Sequence, residues 1–62
     1  MRESDPEVIA LAASWASLDG KSRKFIEDGD LRDAYLSEAL ELALHLKNRG
    51  YKIIPLQQTE IK

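Results

Sequence analysis

The sequence predicts an all-α protein: an antiparallel helical hairpin with a short extended C-terminal arm, two copies of which pair as a four-helix bundle. Three observations lead there. Residues 31–46, LRDAYLSEALELALHL, place apolar side chains at helical spacing. A second helical seam runs through residues 8–25. Between them stands Asp28-Gly29-Asp30, a linker short enough to fold one helix back antiparallel on the other.

Taken in order, residues 1–4 are polar, and Asp5-Pro6-Glu7 reads as a helix start. Asp5 is expected as N-cap, its side chain accepting a backbone N–H; Pro6 suits the first helical position, and Glu7 complements the positive helix end. The first helix is expected over residues 6–27. Val8, Leu11, Trp15, Leu18, Ser22 and Phe25 follow alternating spacings of three and four, and Ile9, Ala12, Ala16 and Ile26 widen that seam. Ser22 is a small polar residue in it, able to bond a carbonyl one turn earlier. The small neighbours of Trp15 leave room for its ring, as a core residue or as an anchor between chains.

Asp19-Gly20 is the ambiguous point, because an interior glycine costs about 1 kcal/mol relative to alanine and Asp-Gly is a common turn dipeptide. The helix either continues to Glu27 or stops near Leu18, leaving 21–27 as a separate short helix. Continuity is preferred because Phe25 and Ile26 stay in phase with residues 8–18. Asp19 falls at the edge of the apolar face, where a buried carboxylate would need a partner such as Arg23 or the Tyr35 hydroxyl, although such a residue more often sits at the rim.

The turn is expected at 28–30, with Gly29 left-handed, Asp30 capping the next helix and Asp33 completing a box-like pair. The second helix is expected over residues 31–49. Its apolar residues Leu31, Tyr35, Leu36, Ala39, Leu40, Leu42, Ala43, Leu44 and Leu46 cover an arc of roughly 220°, whereas one packing neighbour needs a stripe of about 100° or somewhat more. The helix must therefore be covered from two directions. The first helix supplies one cover and a second chain the other. Lys47, Asn48 and Arg49 then Gly50 close it, with cations in the last turn and a glycine beyond.

Residues 51–56 form the arm: Tyr51, Ile53 and Ile54 favour extended backbone, and Pro55 confines any strand to an edge. It either folds over the open end of the hairpin or crosses to another chain. Residues 57–62 are a polar tail, expected to be mobile. The residues expected at a contact between chains are Trp15, Tyr35, Leu36, Leu40, Ala43, Leu44, Tyr51 and Ile53.

Size and composition point the same way. A chain of 62 residues is one domain, and a domain of that length buries only about 60% of the surface its unfolded chain exposes. Without cysteine it has neither disulfides nor a thiolate zinc site, so association remains the available source of buried area. Nine basic against eleven acidic residues give a formal charge of −2, so strong phosphate-driven affinity for nucleic acid is not expected. The start, MRESDPE, is acidic where a secretory signal would be basic, and no apolar run approaches the roughly 18 residues of a membrane span. Cytoplasmic location is expected, with no membrane partner.

Four constellations could carry chemistry, and each has a plainer reading. Gly20-Lys21-Ser22 resembles the end of a phosphate-binding loop, but Trp15 stands where its first glycine is required. Asp28, Asp30 and Asp33 fail as a calcium loop: Arg32 and Ala39 occupy ligand positions and Asp33 replaces the obligatory glycine. Glu38, Glu41 and His45 share the polar side of the second helix, but their spacing differs from the Glu-x-x-His of helical-bundle metal sites, which also lie inside the bundle. Lys21, Arg23 and Lys24 beside Glu27, Asp28, Asp30 and Asp33 offer either a docking patch or local pairing such as Arg23 to Glu27.

With one histidine, no cysteine and too little chain to wall a pocket of about 300 Å³, no enzyme, cofactor or metal is expected. The function expected is that of a small interaction or structural protein acting as a homo-oligomer, a dimer being favoured. The alternative is a regulator or inhibitor that binds a different protein through the apolar face or the arm. A third reading, nucleic-acid binding through Lys21, Arg23, Lys24, Lys47, Arg49 and Lys52, ranks lower. The ribbon-helix-helix arrangement needs a strand before its helices, and here the strand-like segment follows them.

Overall fold

Glycine at position 20 decides the architecture. The computed structural model of the chain describes residues 1–54. It contains three helices, α1 (Pro6–Leu18), α2 (Ser22–Glu27) and α3 (Gly29–Asn48), and no strand among the described residues. The single helix expected over residues 6–27 is therefore two. Gly20 adopts a φ of 73°, a left-handed conformation nearly free only to glycine. Around it the Lys21 N–H donates to the Ala16 carbonyl at 2.8 Å and the Gly20 N–H to the Ser17 carbonyl at 3.0 Å. That pair of bonds is the Schellman arrangement, which satisfies carbonyls the ending helix would leave free. The phase shared by Phe25 and residues 8–18 did not prevent the break, because the closing bonds replace those lost from helix continuation.

α1 begins at the expected place, with Pro6 in its first turn, but Asp5 caps it differently. The Asp5 carboxylate accepts from the Arg2 N–H at 3.0 Å instead of from the helix, while its carbonyl accepts from Val8 and Ile9, each at 3.0 Å. The turn before α3 is also shifted by two residues. Asp28, not Asp30, is the N-cap, its Oδ1 accepting from the Asp30 N–H at 3.1 Å and the Leu31 N–H at 3.3 Å. Gly29 is the first residue of α3 and is not left-handed. Arg32 reaches back from α3 to donate through Nη1 to the Ile26 carbonyl at 3.1 Å, which ties the end of α2 to the start of α3. The end of α3 follows expectation. Gly50 has a φ of 92°, and the Tyr51 N–H donates to the Leu46 carbonyl at 2.9 Å, a second Schellman closure.

The core consists of Val8, Ala12 and Ala16 from α1, Phe25 from α2, and Ala39 and Ala43 from α3. Alanine pairs let the α1 and α3 backbones approach closely, with Phe25 as the one large ring between the three helices. Leu11, Ala13, Tyr35, Leu36, Leu40 and Ile53 pack around this centre and stay half-buried. Ser22, expected inside the seam, is exposed at the start of α2. Leu18 and Ile26 leave the seam as well, 88% and 73% exposed, because the break after Leu18 turns α2 out of phase with α1.

Candidate interaction surface

The wide apolar arc of α3 is divided in three by the way it packs. Its middle, Ala39 and Ala43, faces α1 and is buried. On either side lie leucines: Leu31, Leu42 and Leu46 with Tyr35 on one flank, and Leu36, Leu40 and Leu44 on the other. No leucine among the described residues is buried. Apart from Val8 and Phe25, the buried core is made of alanines while the leucines border the solvent, the reverse of the usual preference for leucine inside.

On the first flank Leu11, Trp15 and Leu18 of α1 and Leu42 of α3 line a shallow apolar groove of about 240 Å³ together with Ser14. Trp15 meets Tyr35 edge-on, ring centroids 6.5 Å apart and planes at 66°, and Tyr35 meets Phe25 in the same manner at 6.2 Å and 69°. Edge-to-face geometry sets the positive rim of one ring against the negative face of the next. One aromatic side chain from each helix therefore converges here. The Tyr35 hydroxyl donates to Asp19 Oδ2 at 2.6 Å, one of the two partners considered for Asp19, although the carboxylate itself is exposed at the rim. Donation to that carboxylate, then desolvation, then the negative charges of Asp19 and Glu38 hold the Tyr35 hydroxyl above its ordinary pKa.

On the second flank Ile9, Phe25 and Leu36 line a groove of about 360 Å³ with Glu3, Ser4 and Arg32. Beyond it Leu40 is half-buried and Leu44 is 40% exposed. At the end of the molecule Ile53 packs on the core, but Tyr51 and Ile54 stay exposed beside the start of α1. Of the arm's described residues, Ile53 thus packs on its own chain. Positions 55 and 56 and the tail 57–62 lie outside the described residues.

Of the residues expected at a contact between chains, Trp15, Tyr35, Leu36, Leu40 and Ile53 are half-buried, and Leu44 and Tyr51 are exposed. Ala43 is only 2% exposed and belongs to the seam between α1 and α3, where its methyl is covered within the chain. Sequence reasoning missed Ile9, Leu18, Ile26 and Leu42 as surface positions. For Leu18 the signal was available in Gly20, two residues on, whose left-handed turn ends the helix.

Glu38, Glu41 and His45 are exposed, and the described residues contain no group of three or more His, Asp or Glu placed to hold a metal ion. Lys21, Arg23 and Lys24 are exposed on and beside α2. No helix among the described residues is long and apolar enough to cross a membrane. No family model, curated protein or solved structure matches the chain.

Proposed function

We propose that this chain is a non-enzymatic interaction protein of the cytoplasm whose working form is a homo-oligomer, a dimer in which α1 and α3 of each copy, paired as an antiparallel hairpin, supply the four helices of a bundle. The observation that carries the reading is the inverted core: alanine, one valine and one phenylalanine are buried while every described leucine stays at least partly open. Burying a leucine side chain fully contributes about 1.5–3 kcal/mol, so a second copy laid over either flank recovers stability the single chain forgoes. Small chains without disulfides commonly gain stability by association.

The test is light scattering after size exclusion at micromolar concentration, combined with melting curves over a hundredfold range of concentration. A particle of twice 7.0 kDa, with a midpoint that rises with concentration, is the expected result. A folded particle of 7.0 kDa throughout refutes the proposal. A second reading, binding of a different protein as a regulator or inhibitor, is favoured by one observation: Tyr51 and Ile54 present apolar surface beside the start of α1. It predicts that Tyr51→Ser abolishes capture of that protein without changing the mass of the chain in solution.

A further inference from the structure

We infer that the self-contact forms along the Leu36, Leu40, Leu44 flank of α3, in an antiparallel register fixed by Asp33 of one copy against Lys47 of the second. This rests on the homo-oligomer reading above and adds to it the surface, the orientation and the register. Residues 33, 36, 40, 44 and 47 succeed one another at spacings of three, four, four and three. On a helical wheel they fall within about 80°, Leu40 at the middle, Leu36 and Leu44 to either side, and the two charges between them. Both charged residues are exposed, as is Leu44, while Leu36 and Leu40 are half-open.

This spacing reads the same in both directions, and that is the property an isologous contact requires. Rotating a second α3 about an axis through Leu40 brings Leu40 onto its own copy and Leu36 onto Leu44. The same rotation brings Asp33 onto Lys47 at each end of the contact. A parallel pairing would instead set Asp33 against Asp33 and Lys47 against Lys47. The charges therefore select the orientation that also places the positive end of each helix beside the negative end of the other. Within its own chain Lys47 borders the end groove lined also by Asp5, Glu7 and Lys52.

Charge reversal tests the register with the full chain. Asp33→Lys alone sets two ammonium groups together at each end of the contact, and Lys47→Asp alone sets two carboxylates together. Each single variant is expected to dimerise about tenfold more weakly than the wild type, two exposed pairs having turned from attraction to repulsion. Mixing the two variants is expected to give a heterodimer of near wild-type affinity, and the double variant in one chain is expected to recover as well. Circular dichroism of each variant checks that helix content is kept. Unchanged dissociation constants, or a mixture that pairs at random, overturn this register while leaving the homo-oligomer in place. A wild-type chain that stays monomeric overturns both.

Discussion

In the proposed dimer, Leu44→Ala separates what the chain does for itself from what a second copy would do for it. Leu44 is 40% exposed in the single chain. If full burial of a leucine contributes about 1.5–3 kcal/mol, the part left to be covered by another chain amounts to about 0.6–1.2 kcal/mol. Two copies of the residue in a dimer double this to about 1.2–2.4 kcal/mol. At about 1.4 kcal/mol for each factor of ten, the dimer dissociation constant should rise by about 7- to 50-fold. These values are ceilings, since the alanine methyl keeps part of the contact. The already covered part of the side chain acts on the monomer as well, so the substitution should lower the melting midpoint at every concentration and add a further loss where the wild type is dimeric. Sedimentation equilibrium with labelled chain at nanomolar to micromolar concentration measures the constant, and thermal melts at the two ends of the range measure the rest. An unchanged dissociation constant, with a midpoint lowered equally at all concentrations, would refute the assignment of this flank.

Other outcomes follow from the fold itself. Gly20→Ala and Gly50→Ala place a Cβ at left-handed positions and should each destabilise by about 1–2 kcal/mol in chemical denaturation. Gly29→Ala, at a helical position where the new Cβ meets only Arg32 Nη2 at 3.6 Å, should be neutral or stabilise by up to about 1 kcal/mol. Phe25→Ala removes the one buried side chain of α2; such a change typically costs about 3–5 kcal/mol. A chain this size has only about 3–9 kcal/mol in all, so a large loss of far-UV circular dichroism is expected at room temperature. Tyr35 has its pKa raised on folding, chiefly by donation to Asp19, so the native state retains that proton more tightly than the unfolded state. Its contribution is full below the ordinary tyrosine value near 10 and is lost as pH climbs through the higher folded value. Denaturation at stepped alkaline pH should find the wild type losing stability faster than Tyr35→Phe, and parallel slopes would contradict the bond.

How much of this was legible in the residues depends on the kind of signal. The apolar arc of residues 31–46 revealed α3, because its period survives any packing. The arc could not tell which part faces α1. Hydrophobicity alone favours leucine for the inside, yet Ala12, Ala16, Ala39 and Ala43 take the centre because small side chains permit the closest backbone approach. The end of α3 was plain from the cations before Gly50. The end of α1 was written in the same chemistry at Gly20, but periodicity through Phe25 pointed the other way. A glycine with both Schellman donors available is the stronger local signal. At Asp28-Gly29-Asp30 either aspartate could cap α3; Asp28 does, and Gly29 enters the helix. For Asp19 the sequence left a rim position open beside a buried one paired to Arg23 or Tyr35; the carboxylate is exposed and takes the Tyr35 hydroxyl.

What covers the methyls of Leu36, Leu40 and Leu44 is the deciding question, and isotope-filtered NMR on an equal mixture of labelled and unlabelled chain reads that contact atom by atom. It should yield Overhauser effects from labelled Leu44 methyls to unlabelled Leu36, and from each Leu40 to its own copy, fading on dilution. No effect between labelled and unlabelled chains at millimolar concentration would contradict the dimer and its flank together.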